Sequence, residues 1–226
     1  MKKETIAEAI EELEERFQEN PLQYTVESAL VSELIQILRD KIEEEKLTAE
    51  GIYQGNGDDF DFTDYKEPYL KQMSKEQEIN RILPEVNIGD RTENKRLDIA
   101  VLRPGEVEIE IKKGSKYFSQ EDVQHAIEFK YVKNDNIVAD RNKERSEPDE
   151  EIFPHTSGDI PKLRRNAEDS ETRWMIIASN KDIFKQEESE EDAEDAYERY
   201  GNMKEECEER QPRIELREFH LGKKEE

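Results

Sequence analysis

Residues 125–132 read HAIEFKYV and residues 173–180 read RWMIIASN, with the segment DIPKLRRNAEDS (159–170) between them. In the first stretch Ile127, Phe129 and Tyr131 alternate with Glu128 and Lys130, the period of a β-strand with two unlike faces. The second is a continuous apolar run, the mark of a strand covered on both sides. The segment between them opens as a helix, with Asp159 as N-cap and Pro161 in the first turn. Two parallel neighbouring strands need a crossover, and a helix supplies it. A strand, a helix and a buried strand in this order predict an α/β fold.

Working outward, RLDIAVLR (96–103) and EVEIEIK (106–112) are strands joined by the Pro104-Gly105 turn. INRILPEVNI (79–88) is a further strand, in which Pro84 marks an edge or a bend. Helical spacing of Ile6, Ile10, Leu13 and Phe17 predicts a helix over 1–19, stopped by Asn20-Pro21. A second helix over 25–46 has Thr25 as N-cap and a broad face of Leu30, Val31, Leu34, Ile35, Ile37, Leu38 and Ile42. Residues 51–63 read as a Gly- and Asp-rich loop, 64–78 as a charged helix, and 133–158 as a mobile polar insertion. Residues 104–118 form an inserted hairpin arm, 186–210 an acidic C-terminal helix, and RIELREFHL (213–221) a last strand. The expectation is a single domain over 1–226, a central mixed sheet flanked by helices.

The 226 residues suffice for one well-cored domain. Charged residues make up 42% and the formal net charge is −24, which repels polyanions at long range. Two arrangements reconcile such acidity with a nucleic-acid partner: adaptation to high salt, which screens the repulsion, or a local basic patch. Lys112, Lys113 and Lys116 form one such patch, and Lys162, Arg164 and Arg165 another; each group serves either as phosphate contacts or as ordinary charge balance. Cys207 is the only cysteine, which excludes an internal disulfide and a cysteine-based zinc site. His125, His155 and His220 have no ligand spacing. There is no apolar run of membrane length and no apolar segment of a secretory signal, so the expected location is the cytoplasm, with no membrane partner.

Four residues stand out as chemistry. With Leu30 at zero on the second helix, Glu27 falls at about 60°, in the middle of the apolar face, and Glu33 at about 300°, on its edge. A carboxylate there needs a partner; alternatively Glu27 favours the helix dipole and faces water. Asp98 interrupts a nearly continuous apolar strand, so it either has a partner or faces solvent near the strand start. Glu128 and Lys130 share one strand face, as a functional pair or as an ion pair on a wet surface. Glu110-Ile111-Lys112 repeats the pattern. Three carboxylates and a lysine are what Mg2+-assisted phosphodiester hydrolysis needs: oxygen ligands for a hard cation, and a cationic group beside the attacking water.

An acid on an early helix, Asp98 in RLDIAVL, Glu128-Phe129-Lys130 in AIEFKYV, then DIPKLRR and WMIIASN, resembles the PD-(D/E)XK nuclease superfamily over about residues 25–180. Leu97 stands where the family's name has proline. The resemblance implies a restriction-endonuclease-like αβββαβ core, a DNA substrate and Mg2+ or Mn2+. Asp98 and Glu128 would be metal ligands, Glu27 (or Glu33) would complete the site, and Lys130 would assist the water. It also implies a homodimer, since many members form one. The crossover helix follows Glu128, which favours that pair over Glu110 and Lys112. The rival expectation is a non-catalytic acidic interaction protein: a DNA mimic, which the net charge supports, or a degenerate nuclease fold kept for binding.

Overall fold

The computed structural model describes residues 1–24, 26–43, 46–54, 76–89, 96–112, 115–132, 159–179, 204–205 and 207–220. Helix α1 (Lys3–Glu19) buries Ile6, Ala9, Ile10, Leu13 and Phe17, a stripe at helical spacing, and ends at Asn20 before a 3-10 turn over Pro21–Gln23. Helix α2 (Glu27–Asp40) buries Leu30, Val31, Leu34, Ile35, Ile37 and Leu38. It is shorter than the expected 25–46. The run of acids from Glu43 onward meets the negative end of the helix dipole, which disfavours further turns. Val26 occupies the N-cap position without a side-chain cap; Thr25 lies outside the described residues.

Among the described residues nine strands follow: β1 (Thr48–Gln54), β2 (Glu76–Asn80), β3 (Ile82–Ile88), β4 (Arg96–Leu102), β5 (Glu106–Lys112), β6 (Ser115–Phe118), β7 (Val123–Val132), β8 (Thr172–Ser179) and β9 (Glu215–His220). Helix α3 (Asp159–Asn166) lies between β7 and β8 in the chain. All strands join one mixed sheet in the order β2-β1-β5-β6-β3-β4-β7-β8-β9. The chain is therefore an α/β protein. β3, β4 and β7 pair antiparallel in turn, whereas β7, β8 and β9 run parallel.

Two expectations are corrected. The loop expected from residue 51 is a strand as far as Gln54, pairing parallel with β5; the rest of 51–63 lies outside the described residues. Glu76–Glu78, assigned to a charged helix, belong to β2, an edge strand pairing antiparallel with β1. Glu78 is exposed, as suits an edge that must not recruit another strand. The expected insertion 133–158, and 186–203 of the expected acidic helix, lie outside the described residues; residues 204, 205 and 207–209 are helical. The hairpin arm is β5 and β6, paired antiparallel and built into the sheet beside β3.

Each face of the sheet is covered by apolar packing. On one face α1 and α2 pack on Ile82, Ile99, Val101, Ile127, Phe129, Tyr131, Trp174 and Ile176. On the other, Val86, Ile88, Leu97, Ala100, Leu102, Val107, Ile109, Ala126 and Ala167 form a second cluster. Every residue of β8 is buried, as its apolar run requires. At its start Trp174 Nε1 donates to Thr172 Oγ1 (3.0 Å), and Thr172 Oγ1 lies 2.8 Å from His125 Nδ1. His125 Nε2 lies 3.0 Å from the Met1 carbonyl. This set satisfies the buried ring as neutral imidazole protonated on Nε2.

Candidate functional site

The β4–β7 ladder ends at Ile99 with Ile127, although β4 runs back to Arg96 and β7 on to Val132. Beyond that pair, side chains take the β7 amides. Asp98 Oδ2 accepts from the Phe129 main-chain N–H at 2.7 Å, and Glu27 Oε2 accepts from the Tyr131 N–H at 3.0 Å. Two carboxylates from different elements thus stand along one edge of β7. Their acceptor points are two residues apart, about 7 Å at the rise of a strand.

The backbone is irregular at the same place. β3 and β4 stay in register through Pro84 with Ile99 and Val86 with Leu97, leaving Glu85 facing Asp98. Glu85 has φ of +53°, a left-handed conformation that costs a non-glycine residue free energy. Alternation slips there: Leu97 and Ile99, two positions apart, pack in opposite clusters. Pro84 sits where β3 has a partner only on the β4 side, so its missing N–H costs no ladder bond. Glu85 also pairs with Arg96 across the two strands.

Glu128 is 1% exposed, and its Oε2 lies 2.7 Å from Lys162 Nζ on α3. A buried carboxylate needs such a cation. Asp98 takes the amide of Phe129, the residue after Glu128, so the two acids lie along the same stretch of β7. Lys130 is half-buried two residues on, and strand period places it on the Glu128 face. Tyr131, on the helix-covered face, is buried; desolvation raises its phenol above the ordinary value.

The other candidates lie elsewhere. Glu33 is half-buried and pairs with Arg16 of α1, which also binds Glu12 at 2.5 Å. The Glu33 hydrogen bond raises the Arg16 guanidinium further above its usual range. Glu33 therefore ties α1 to α2 on the helical layer. Glu110 is exposed on β5, three strands from β4, or about 14 Å across the sheet. Lys112 ends the same strand, paired through its backbone with Ser115; its side chain and Lys113 lie outside what is described. Of the α3 cations, Lys162 is turned to Glu128, Arg164 is buried at 8% exposure, and Arg165 is exposed. Of the two arginines expected to meet phosphates, Arg165 is thus the one presented to solvent. In the sequence Lys162 reads only as a phosphate contact or charge balance; the signal passed over is that a lysine in a first helical turn opposes the dipole unless an acid faces it.

Among the described residues, no three of His, Cys, Asp and Glu converge closely enough to hold a metal ion alone. The donor type still fits Mg2+ or Mn2+. Such ions are held by one or two carboxylates, and waters and substrate phosphate complete the shell. No described helix is long and apolar enough to cross a membrane. No protein-family model matches the chain, and neither a curated protein nor a solved structure matches it.

Proposed function

We propose that the chain is a metal-dependent nuclease that hydrolyses phosphodiester bonds in DNA. The observation carrying this reading is that Asp98 of β4 and Glu27 of α2 both take main-chain amides of β7 where the β4–β7 ladder ends, on the strand that carries Glu128 and Lys130. The order of α2, the antiparallel β3–β4–β7 run, the α3 crossover and parallel β8 supports a restriction-endonuclease-like core.

In this account Asp98 and Glu128 hold Mg2+ or Mn2+, which when bound lowers the pKa of a water and neutralises phosphate charge. Asp98 is fixed by the Phe129 amide, so one oxygen is committed and the other stays directed by it. Glu27 fixes the edge of β7 through the Tyr131 amide and completes the acidic set. Lys130 orients the attacking water and steadies the charge that builds on the phosphate. Arg165 contacts the DNA backbone. A cytoplasmic location and a homodimer belong to the same proposal. The net charge of −24 favours one rival, an acidic interaction protein that occupies a DNA-binding partner.

Cleavage of supercoiled plasmid and single-stranded DNA with Mg2+ or Mn2+, across a range of KCl, separates the two. The nuclease reading expects metal-dependent cleavage that Asp98→Ala and Lys130→Ala both abolish. Folded wild-type protein that cleaves neither substrate at any salt concentration would leave the acidic interaction reading.

A further inference from the structure

The Lys162 ammonium of α3 is seated on an acid of the candidate site, 2.7 Å from Glu128 Oε2. It projects from the first turn of an eight-residue helix, where the dipole disfavours a positive charge. Its partner is almost fully excluded from water and its own side chain is 21% exposed. A buried carboxylate is costly without a cation against it, and an ammonium is a compact point charge that can fill that role. A divalent cation seeking the same oxygen meets that ammonium first.

We propose that Lys162 is a tethered counter-ion of the catalytic centre: it neutralises Glu128, and a divalent cation binds there only by displacing it. This rests on the reading of Glu128 as a metal ligand. It moves Lys162 from the DNA-contacting surface to the centre itself. Lys162 acts through Glu128 and is a positioning residue. Lys162 and the metal are then mutually exclusive on one oxygen, so lysine occupancy sets the metal concentration at which the centre fills.

The test is Mn2+ binding by the full chain without DNA, followed by the electron paramagnetic resonance signal of free Mn2+. Circular dichroism establishes that each variant is folded. Lys162→Met should bind Mn2+ about tenfold more tightly than wild type, a change of about 1.4 kcal/mol. Lys162→Arg, which keeps a cation on Glu128, should stay close to wild type. Arg165→Met makes the same change in charge at an exposed position of the same helix, so it should shift affinity little. If the methionine variant does not fold, Lys162→Gln replaces it, keeping a donor to Glu128 without the charge. Wild-type binding that is unchanged or weakened in the uncharged variants overturns this inference and leaves the nuclease reading standing. An equal gain in Arg165→Met also overturns it, because net charge would then explain the effect. No Mn2+ binding by any folded variant overturns both.

Discussion

Asp98 Oδ2 accepts the Phe129 amide hydrogen at 2.7 Å just past the last β4–β7 ladder pair. A side chain there does what the neighbouring strand's carbonyl does elsewhere in a sheet. One residue thus both satisfies a strand edge and aims a carboxylate.

That double role separates two substitutions. Asp98→Asn keeps an acceptor for the Phe129 N–H, so it should fold with nearly unchanged urea stability while losing metal-dependent cleavage. Asp98→Ala leaves that N–H without its acceptor and should cost about 1–3 kcal/mol as well. Equal stability of the two variants would show that the hydrogen bond contributes nothing.

His125 makes folding pH-dependent. Burial pushes its imidazole below the ordinary value, against the pull of the Met1 carbonyl. The α-amino group of Met1, which donates to Gln124 Oε1 at 2.7 Å, is lowered by burial too. The charged neighbours Glu171 and Arg103 act on the ring in opposite directions. A base whose folded pKa is lowered binds fewer protons folded than unfolded, so stability rises with pH. The His125 contribution is complete above about pH 6.5 and fades as pH falls from there toward the folded value. Melting temperature should therefore drop between pH 7.5 and 5.5. His125→Gln, though less stable at neutral pH, should show a shallower drop.

Much of this fold was legible because its strands carry their burial in their letters. RLDIAVL, EVEIEIK, AIEFKYV and WMIIAS became β4, β5, β7 and β8, and the stripes of α1 and α2 became their buried faces. β1 was not legible, and of β2 only Ile79 and Asn80 were read as strand, joined to β3 without the break at Arg81. Gly51 resembles a loop, the acids of β2 resemble a helix, and both strands depend on partners distant in sequence. Within the site, Asp98, Glu128, Lys130 and Glu27 stood out as polar residues in apolar patterns. The link between Glu33 and Arg16, the left-handed Glu85 and the seating of Lys162 on Glu128 come from tertiary contacts that no local period encodes.

Glu110 gives a counter-test of the site assignment. It is exposed on β5, away from the end of the β4–β7 ladder. Glu110→Ala should leave urea stability within about 0.5 kcal/mol and cleavage at the wild-type level. A loss of activity equal to that of Asp98→Asn would move the centre to the β5–β6 hairpin.

Arg164 and Arg165, adjacent on α3, should behave in opposite ways. Arg164 is 8% exposed, so Arg164→Ala should destabilise the fold by about 1–3 kcal/mol. Arg165→Ala should leave stability unchanged, weaken DNA binding and lower its salt slope by about one. Fluorescence anisotropy across a KCl series, with urea titrations, reads both.

The most direct test of the central claim is plasmid cleavage in Mg2+ by wild type and by Glu128→Gln, each shown folded by circular dichroism. Wild type should nick the plasmid, EDTA should abolish the nicking, and the glutamine variant should lack it. Cleavage by Glu128→Gln at the wild-type rate would contradict it.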